Sequence, residues 1–389
     1  MAYILSNDNR FYVALEQSYG NAPVIGDVNR IPAVSLTAKQ KTEKVQRKDK
    51  TGSRTFAGNP AGLRKETTFD LRTYMTNWAD PANQPAYGPL FQACLGGTPM
   101  LSAGGTAASA TNAGRVTFAA PHGLAPGQGI TSGGELRFAS AIVDDHTVQL
   151  NAPFSSTPAA NAPIGPTAVY APAGNLKSVT LFDYWSPGTS VQRVLSGAAL
   201  DKLTVKVNGD FHEFSFSGMA RDLVDSASFE NGQAGLSSFP PEPAVGPINY
   251  SIIPGHLGQV WLGSTPNRFF TLTKADITFE NNIDLRAKEF GADLPSAISP
   301  GLRAVTLDFN LYQQDDVATR SLYQAARQKS PISVMIQLGQ QQGQLFGIYM
   351  SGVVLEVPEF DDKDKRQQWQ FQSCRAQGGI DDEIFVAFG

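Results

Sequence analysis

The chain contains one short text twice. Residues 62–74 read GLRKETTFDLRTY, and residues 301–312 read GLRAVTLDFNLY. With one residue skipped after Gly62-Leu63-Arg64, Thr68, Asp70 and Tyr74 fall on Thr306, Asp308 and Tyr312. Phe69 and Leu71 then fall on Leu307 and Phe309. Such a repeat constrains the fold strongly. It predicts the same strand in two copies of one unit, opened by Gly62, Leu63, Arg64 and by Gly301, Leu302, Arg303.

Three further landmarks follow in order. PLFQACLGG at 89–97 resembles SLYQAARQK at 321–329, with Leu90, Gln92 and Ala93 on Leu322, Gln324 and Ala325. FSFSG at 214–218 is matched to the end of GIYMSG at 347–352, placing Ser217-Gly218 on Ser351-Gly352. Leu36-Thr37 is matched to Leu272-Thr273.

Alternation in 67–74, and again at Leu307, Phe309 and Leu311, predicts half-buried strands. Each is preceded by a long loop or hairpin, 39–61 in the first copy and 275–300 in the second. Each copy should then form one short helix. Pro89 starts the first and Gly96-Gly97 stop it; Asp315-Asp316 start the second and Pro331 closes it. With 37 Gly and 25 Pro in 389 residues, many turns and short strands are expected. Residues 98–173 differ: five charged residues, no lysine, and strand-like alternation at Val116/Phe118, Leu136/Phe138 and Val148/Leu150. We read them as a small β-domain inserted into the first copy. Residues 174–199 have no evident partner and read as an extra hairpin of that copy. The expected division is 1–97 with 174–245, then 98–173 inserted, then 246–389.

Chemistry-bearing patterns are lacking. His122, His146, His212 and His256 are scattered, and Cys94 and Cys374 form no CxxC pair, so no metal or cofactor is expected. There is no GxSxG, GxxxxGK[ST] or HExxH, and no catalytic residue is expected. The acidic run at 356–364 is interleaved with Lys363, Lys365 and Arg366 and reads as a solvated hairpin tip. No basic flank with an apolar core marks a signal peptide, and no run of eighteen apolar residues predicts a spanning helix. Folding in the cytoplasm of the producing cell, without a membrane, is therefore expected.

One charge feature stands out. Residues 37–54 carry Lys39, Lys41, Lys44, Arg47, Lys48, Lys50 and Arg54 against Glu43 and Asp49, a local charge of +5. The net charge of −4 leaves −9 for the rest. The segment lacks the interleaved aromatics of single-strand nucleic-acid binders, so it reads as an arm for subunit contact.

In this order of strand, long hairpin, GLR-type strand, Leu-aromatic-Gln-Ala helix and Ser-Gly strand, the chain resembles the tail tube (major tail) proteins of long-tailed bacteriophages. The resemblance covers both copies and excludes the insert. It implies a mainly β chain with two tandem β-sandwich or half-barrel domains, each with a short helix, and an inserted decoration domain. It implies a structural virion protein that assembles in the host cytoplasm. Three chains would form a pseudo-hexameric ring, and rings would stack around a channel that passes DNA without binding it specifically. Partners implied are other copies of the chain, the tape measure protein, and tail terminator or baseplate proteins. A distal tail or baseplate hub protein uses the same fold, and a carbohydrate-binding β-protein is the alternative from another class.

Overall fold

The computed structural model describes residues 3–42, 49–50, 52–55, 58, 63–78, 80–246, 250–363 and 365–389. Its elements are β1 (Asn9–Leu15), β2 (Arg30–Ile31), β3 (Ala33–Thr42), β4 (Lys65–Tyr74) and α1 (Gly88–Leu95). There follow β5 (Met100–Ser102), β6 (Gly105–Thr106), β7 (Arg115–Thr117), β8 (Gly129–Ser132), β9 (Glu135–Ile142), β10 (Thr147–Leu150), β11 (Pro163–Ile164) and β12 (Thr167–Tyr170). Next are β13 (Val179–Trp185), β14 (Arg193–Val207), β15 (Glu213–Ala220) and β16 (Asp222–Asp225). The second half holds β17 (Gly258–Gly263), β18 (Asn267–Arg268), β19 (Leu272–Glu280), β20 (Asp284–Leu285), β21 (Ile298–Ser299) and β22 (Ala304–Tyr312). It ends with α2 (Val317–Gln328), β23 (Ile332–Leu338), β24 (Phe346–Val354), β25 (Glu359–Asp361), β26 (Gln368–Gln377) and β27 (Phe385–Phe388).

The chain is mainly β, and its two halves pair in one pattern. β1–β2, β3–β4, β4–β15 and β13–β14 in the first half correspond to β17–β18, β19–β22, β22–β26 and β23–β24 in the second. Even the irregularities correspond. β3 slips against β4 between Ala33 and Ser35, and β19 against β22 between Leu272 and Lys274. β13 slips against β14 between Val179 and Leu181, and β23 against β24 between Ile332 and Val334. A bulge bends its strand at a fixed place, so matched bulges tie the repeat to backbone geometry as well as to sequence.

Register corrects three of the expectations. Leu36 lies opposite Leu71 and Ala275 opposite Phe309, so Leu36 matches Ala275, three residues from Leu272. The β13–β14 hairpin has a partner, β23–β24, so 174–199 is not an extra hairpin. The counterpart of Ser351-Gly352 is therefore Ser196-Gly197, in LSGAALD against MSGVVLE. Ser217-Gly218 belongs to β15, whose partner is β26. Gly197 takes a positive φ of 61° at the β14 bend, where its N–H donates to the buried Glu16 carboxylate at 2.7 Å.

Two layers result. One runs β3–β4–β15–β14–β19–β22–β26–β25. The other carries β1, β13, β17 and β23. β14 and β24 are shared between layers: β14 pairs β13 with its first half and β15 with its second, and β24 pairs β23 from Phe346 to Val353 and β26 through Gly352, Val353 and Val354. The alternate residues Phe69, Leu71, Phe214, Phe216, Ile277, Leu307, Phe309 and Phe371 are all buried in one core between the layers. α1 lies within that core. Phe91 packs edge-on against Phe214, Phe216 and Phe388, from both halves. Pro89 falls in its first turn, and Gly96 ends it in the left-handed region at φ 91°. α2 is capped as its sequence predicts: the Asp316 side chain accepts from Thr319 N. Only Thr319, Leu322 and Ala326 of α2 are buried.

Within 98–173, β7, β10, β9 and β8 form a sheet with a core of Val116, Phe118, Ile130, Val148 and Leu150. The flanks behave differently. β5 and β12 pair with each other, and β12 pairs β27 at the C-terminus. The small sheet also docks on the second half through Leu136 and Phe138, packed with Trp261, Met335 and Tyr349. Arg137 anchors this contact. Fully buried, it lies between the rings of Phe154 and Trp261 and donates to Gln337 and Gln259, each at 3.0 Å. Burial pulls its pKa down to about 10, opposed by the nearby Glu135 charge, so it stays charged at neutral pH. Truncating one member of a buried pair strands the other charge. Arg137→Ala should therefore cost about 3–5 kcal/mol in urea denaturation; an unchanged midpoint would show that the guanidinium is not the anchor.

Candidate functional site: a polar sheet face and its two free edges

Strand alternation gives the first layer a second, solvent-facing side. Opposed residues across its strands share that side: Arg72, Ser215, Thr204, Thr278, Thr306 and Arg375 form one row. Asp70, Ser217, Lys202 and Glu280 form the next. Tyr74, Glu213, Lys206, Asp276 and Asp308 form a third.

Three cations on this face pair with carboxylates. Arg72 bonds Glu213 at 2.6 Å, Lys202 bonds Glu280 at 2.7 Å, and Lys274 bonds Asp276 at 2.7 Å. Hydrogen bonds to Glu213 and Asp276 raise the pKa values of Arg72 and Lys274 further. Lys39, Lys41, Arg72, Lys202, Lys206, Lys274 and Arg375 face eight carboxylates: Glu66, Asp70, Glu213, Asp276, Glu280, Asp308, Glu359 and Asp361. Arg366 lies over Tyr312 at the end of the same face, which is polar and close to neutral.

Among the described residues, the layer ends in two unpaired edges. One is the far side of β3, with Lys39 and Lys41 exposed. The other is β25 with the segment leading to it, where Val357, Glu359 and Phe360 are exposed. An exposed strand edge offers a row of backbone donors and acceptors to another chain.

The basic arm leaves from the first edge. Lys39 and Lys41 lie in β3, and Lys50 and Arg54 are exposed beyond it. Lys44, Arg47 and Lys48 lie outside the described residues, as does Gly62. The corresponding loop of the second half folds back over the root of the arm. Lys65 N donates to Asp293 O at 3.1 Å, and Arg64 reaches the carbonyls of Lys288 and Glu289 at 3.4 Å. A cavity of about 990 Å³ lies between them, lined by Lys41, Glu66, Leu285 and Arg286 among others.

The GLR triplets do not lie within the strands. Leu63-Arg64 precede β4, and Gly301-Leu302-Arg303 precede β22. Their arginines also do different work: Arg303 pairs with Asp381, and with Glu383 at 2.9 Å. Of the acidic run, Asp362 lies at the exposed tip of the β25–β26 hairpin, and Asp364 lies outside the described residues.

Among the described residues, no group of three or more His, Cys, Asp or Glu is placed to hold a metal. His122 and His146 bond backbone carbonyls in the insert. Both cysteines are buried, and burial pushes the Cys374 thiol up to about 11. Among the described residues, no helix is long and apolar enough to cross a membrane.

A family model described as phage tail tube protein matches residues 6–372. The match runs through both halves, and the chain belongs to that family. No curated protein matches it.

A family of tubes makes the charge pairing on the polar face testable. Glu213→Gln with Glu280→Gln leaves Arg72 and Lys202 without carboxylate partners. Duplex DNA binding should rise, with a log–log salt slope steeper by about 2, in fluorescence anisotropy. No gain would mean that these ion pairs do not govern duplex DNA binding by this face.

Proposed function

We propose that this tail tube protein polymerises as stacked trimeric rings, each chain supplying two successive segments of the wall. The observation that carries this reading is the β14–β19 seam, which joins two like half-sheets edge to edge and leaves the same two kinds of edge open at the ends. Three such segments closed on themselves abolish the open edges and give one barrel. The polar face would line the channel. Its paired charges let duplex DNA pass without a basic surface to retain it.

We assign 1–97 with 174–245 and 246–389 as the two wall domains, and 98–173 as the insert on the outer layer. Assembly in the host cytoplasm on the tape measure protein, with terminator and baseplate proteins at the ends, belongs to the same reading. The arm, Lys39 to Arg54, would contact the next subunit or ring. Asymmetry is built in: only the first half carries the insert and the basic arm, so threefold features would decorate a sixfold inner wall.

Electron microscopy of the purified chain at high concentration, in negative stain, should show hollow tubes several nanometres across. Isolated rings that never stack would point to a hub protein, and persistent monomers would contradict assembly altogether. Lys44→Glu, Arg47→Glu and Lys48→Glu together should shorten the tubes while leaving the thermal unfolding midpoint within a few degrees. Unchanged tube lengths would reject the arm's role.

A further inference from the structure

We infer that the seam between neighbouring chains copies the β14–β19 seam inside one chain, with a fixed register that places Glu359 opposite Lys39 and Phe360 opposite Ala38. This rests on the ring reading above and names the contact residues that the ring requires.

The registers of the two halves superpose. In the intrachain seam, Thr204 lies opposite Thr278, Val205 opposite Ile277, and Lys206 opposite Asp276. The repeat carries the first strand of that seam onto the free edge of the second half. Thr204, Val205 and Lys206 share partners on β15 with the same offsets that Glu359, Phe360 and Asp361 have on β26. It carries the other strand onto β3, where Ile277 and Thr278, opposite Leu307 and Thr306, become Ala38 and Lys39, opposite Phe69 and Thr68. The free edges of one chain are thus the two sides of a seam it already contains.

Side-chain chemistry agrees at this register. Val205 and Ile277 are 2% and 3% exposed, so the intrachain seam buries two branched aliphatics. At the matching places stand Phe360, 56% exposed, and Ala38, half-buried. One large and one small residue replace two of middle size: in a single chain the ring of Phe360 stacks on Trp369 and lies beside Tyr323 but keeps its outer side exposed, and a neighbour's Ala38 leaves room for it. On the polar side Thr204 and Thr278 give way to Glu359 and Lys39, an opposite-charge pair. The intrachain seam has its own such pair one step along, Lys202 with Glu280. Pairing within each chain fixes Phe360 on the core side and Lys39 on the polar side, so a slip by one residue would set core-side residues of one chain opposite polar-side residues of the next. The partner is therefore a second copy of this chain, in one register.

The test is cross-linking of the full chain carrying Lys39→Cys with Glu359→Cys, or Ala38→Cys with Phe360→Cys. Adjacent antiparallel pairs alternate in spacing, so one of the two pairs sits closer to disulfide geometry. The native cysteines are buried. Oxidation should give covalent oligomers that stop at the trimer on a non-reducing gel. Thr37→Cys with Glu359→Cys is displaced by about 6.6 Å along the strand, beyond disulfide reach, and should cross-link at least about tenfold less. Lys39→Glu should block ring formation, and Lys39→Glu with Glu359→Lys should restore it. Rings that form without the 39–359 or 38–360 cross-link, or that cross-link equally in the displaced register, overturn the inference and leave the tube reading standing. Absence of rings in the unmodified chain overturns both.

Discussion

Backbone hydrogen bonding along unpaired strand edges is the constraint on which this molecule depends. A sheet of this width must end somewhere, and each end exposes donors and acceptors that cost free energy if buried without partners and invite other chains if left open. The chain meets this constraint once internally, by pairing β14 with β19. It leaves the same constraint unmet at β3 and β25. Everything distinctive about the fold follows from how those three places are treated.

The second layer gives its edges different treatment. There the insert's flanking strands cover β27 through β12, and the small sheet clamps the second half through Arg137 and an apolar contact. The corresponding strand of the first half, β16, pairs with β14 alone. The insert therefore does structural work on the half that did not donate it, joining the halves beyond the β14–β19 seam. The helices show the same asymmetry. α1 is enclosed by both halves, whereas α2 buries only one stripe and presents its other side outward.

Much of this was legible in the residues. The repeated alternation at 67–74 and 304–312 sets which side chains enter the core, and a period of two is hard to disguise. Helix ends were legible too, since Pro89, Gly96, Asp316 and Pro331 each restrict the backbone for a local reason. Short dipeptides were less informative. Ser217-Gly218 looked like the partner of Ser351-Gly352 because any alternating strand resembles another over five residues; only pairing partners identified Ser196-Gly197. The polar face could not be read in sequence because it gathers residues from strands far apart in the chain. Arg137 was invisible as an anchor because a lone arginine carries no pattern, and its partners Gln259 and Gln337 lie more than a hundred residues away.

The central claim is that one polypeptide supplies two equivalent wall segments, joined by the same kind of seam within and between chains. A helical reconstruction of assembled tubes by cryo-electron microscopy measures this directly. The account predicts three chains per ring, six β-seams of common register around the inner wall, and the inserted sheets outside with threefold spacing. Six chains per ring, or neighbours joined through any surface other than β3 and β25, would contradict it.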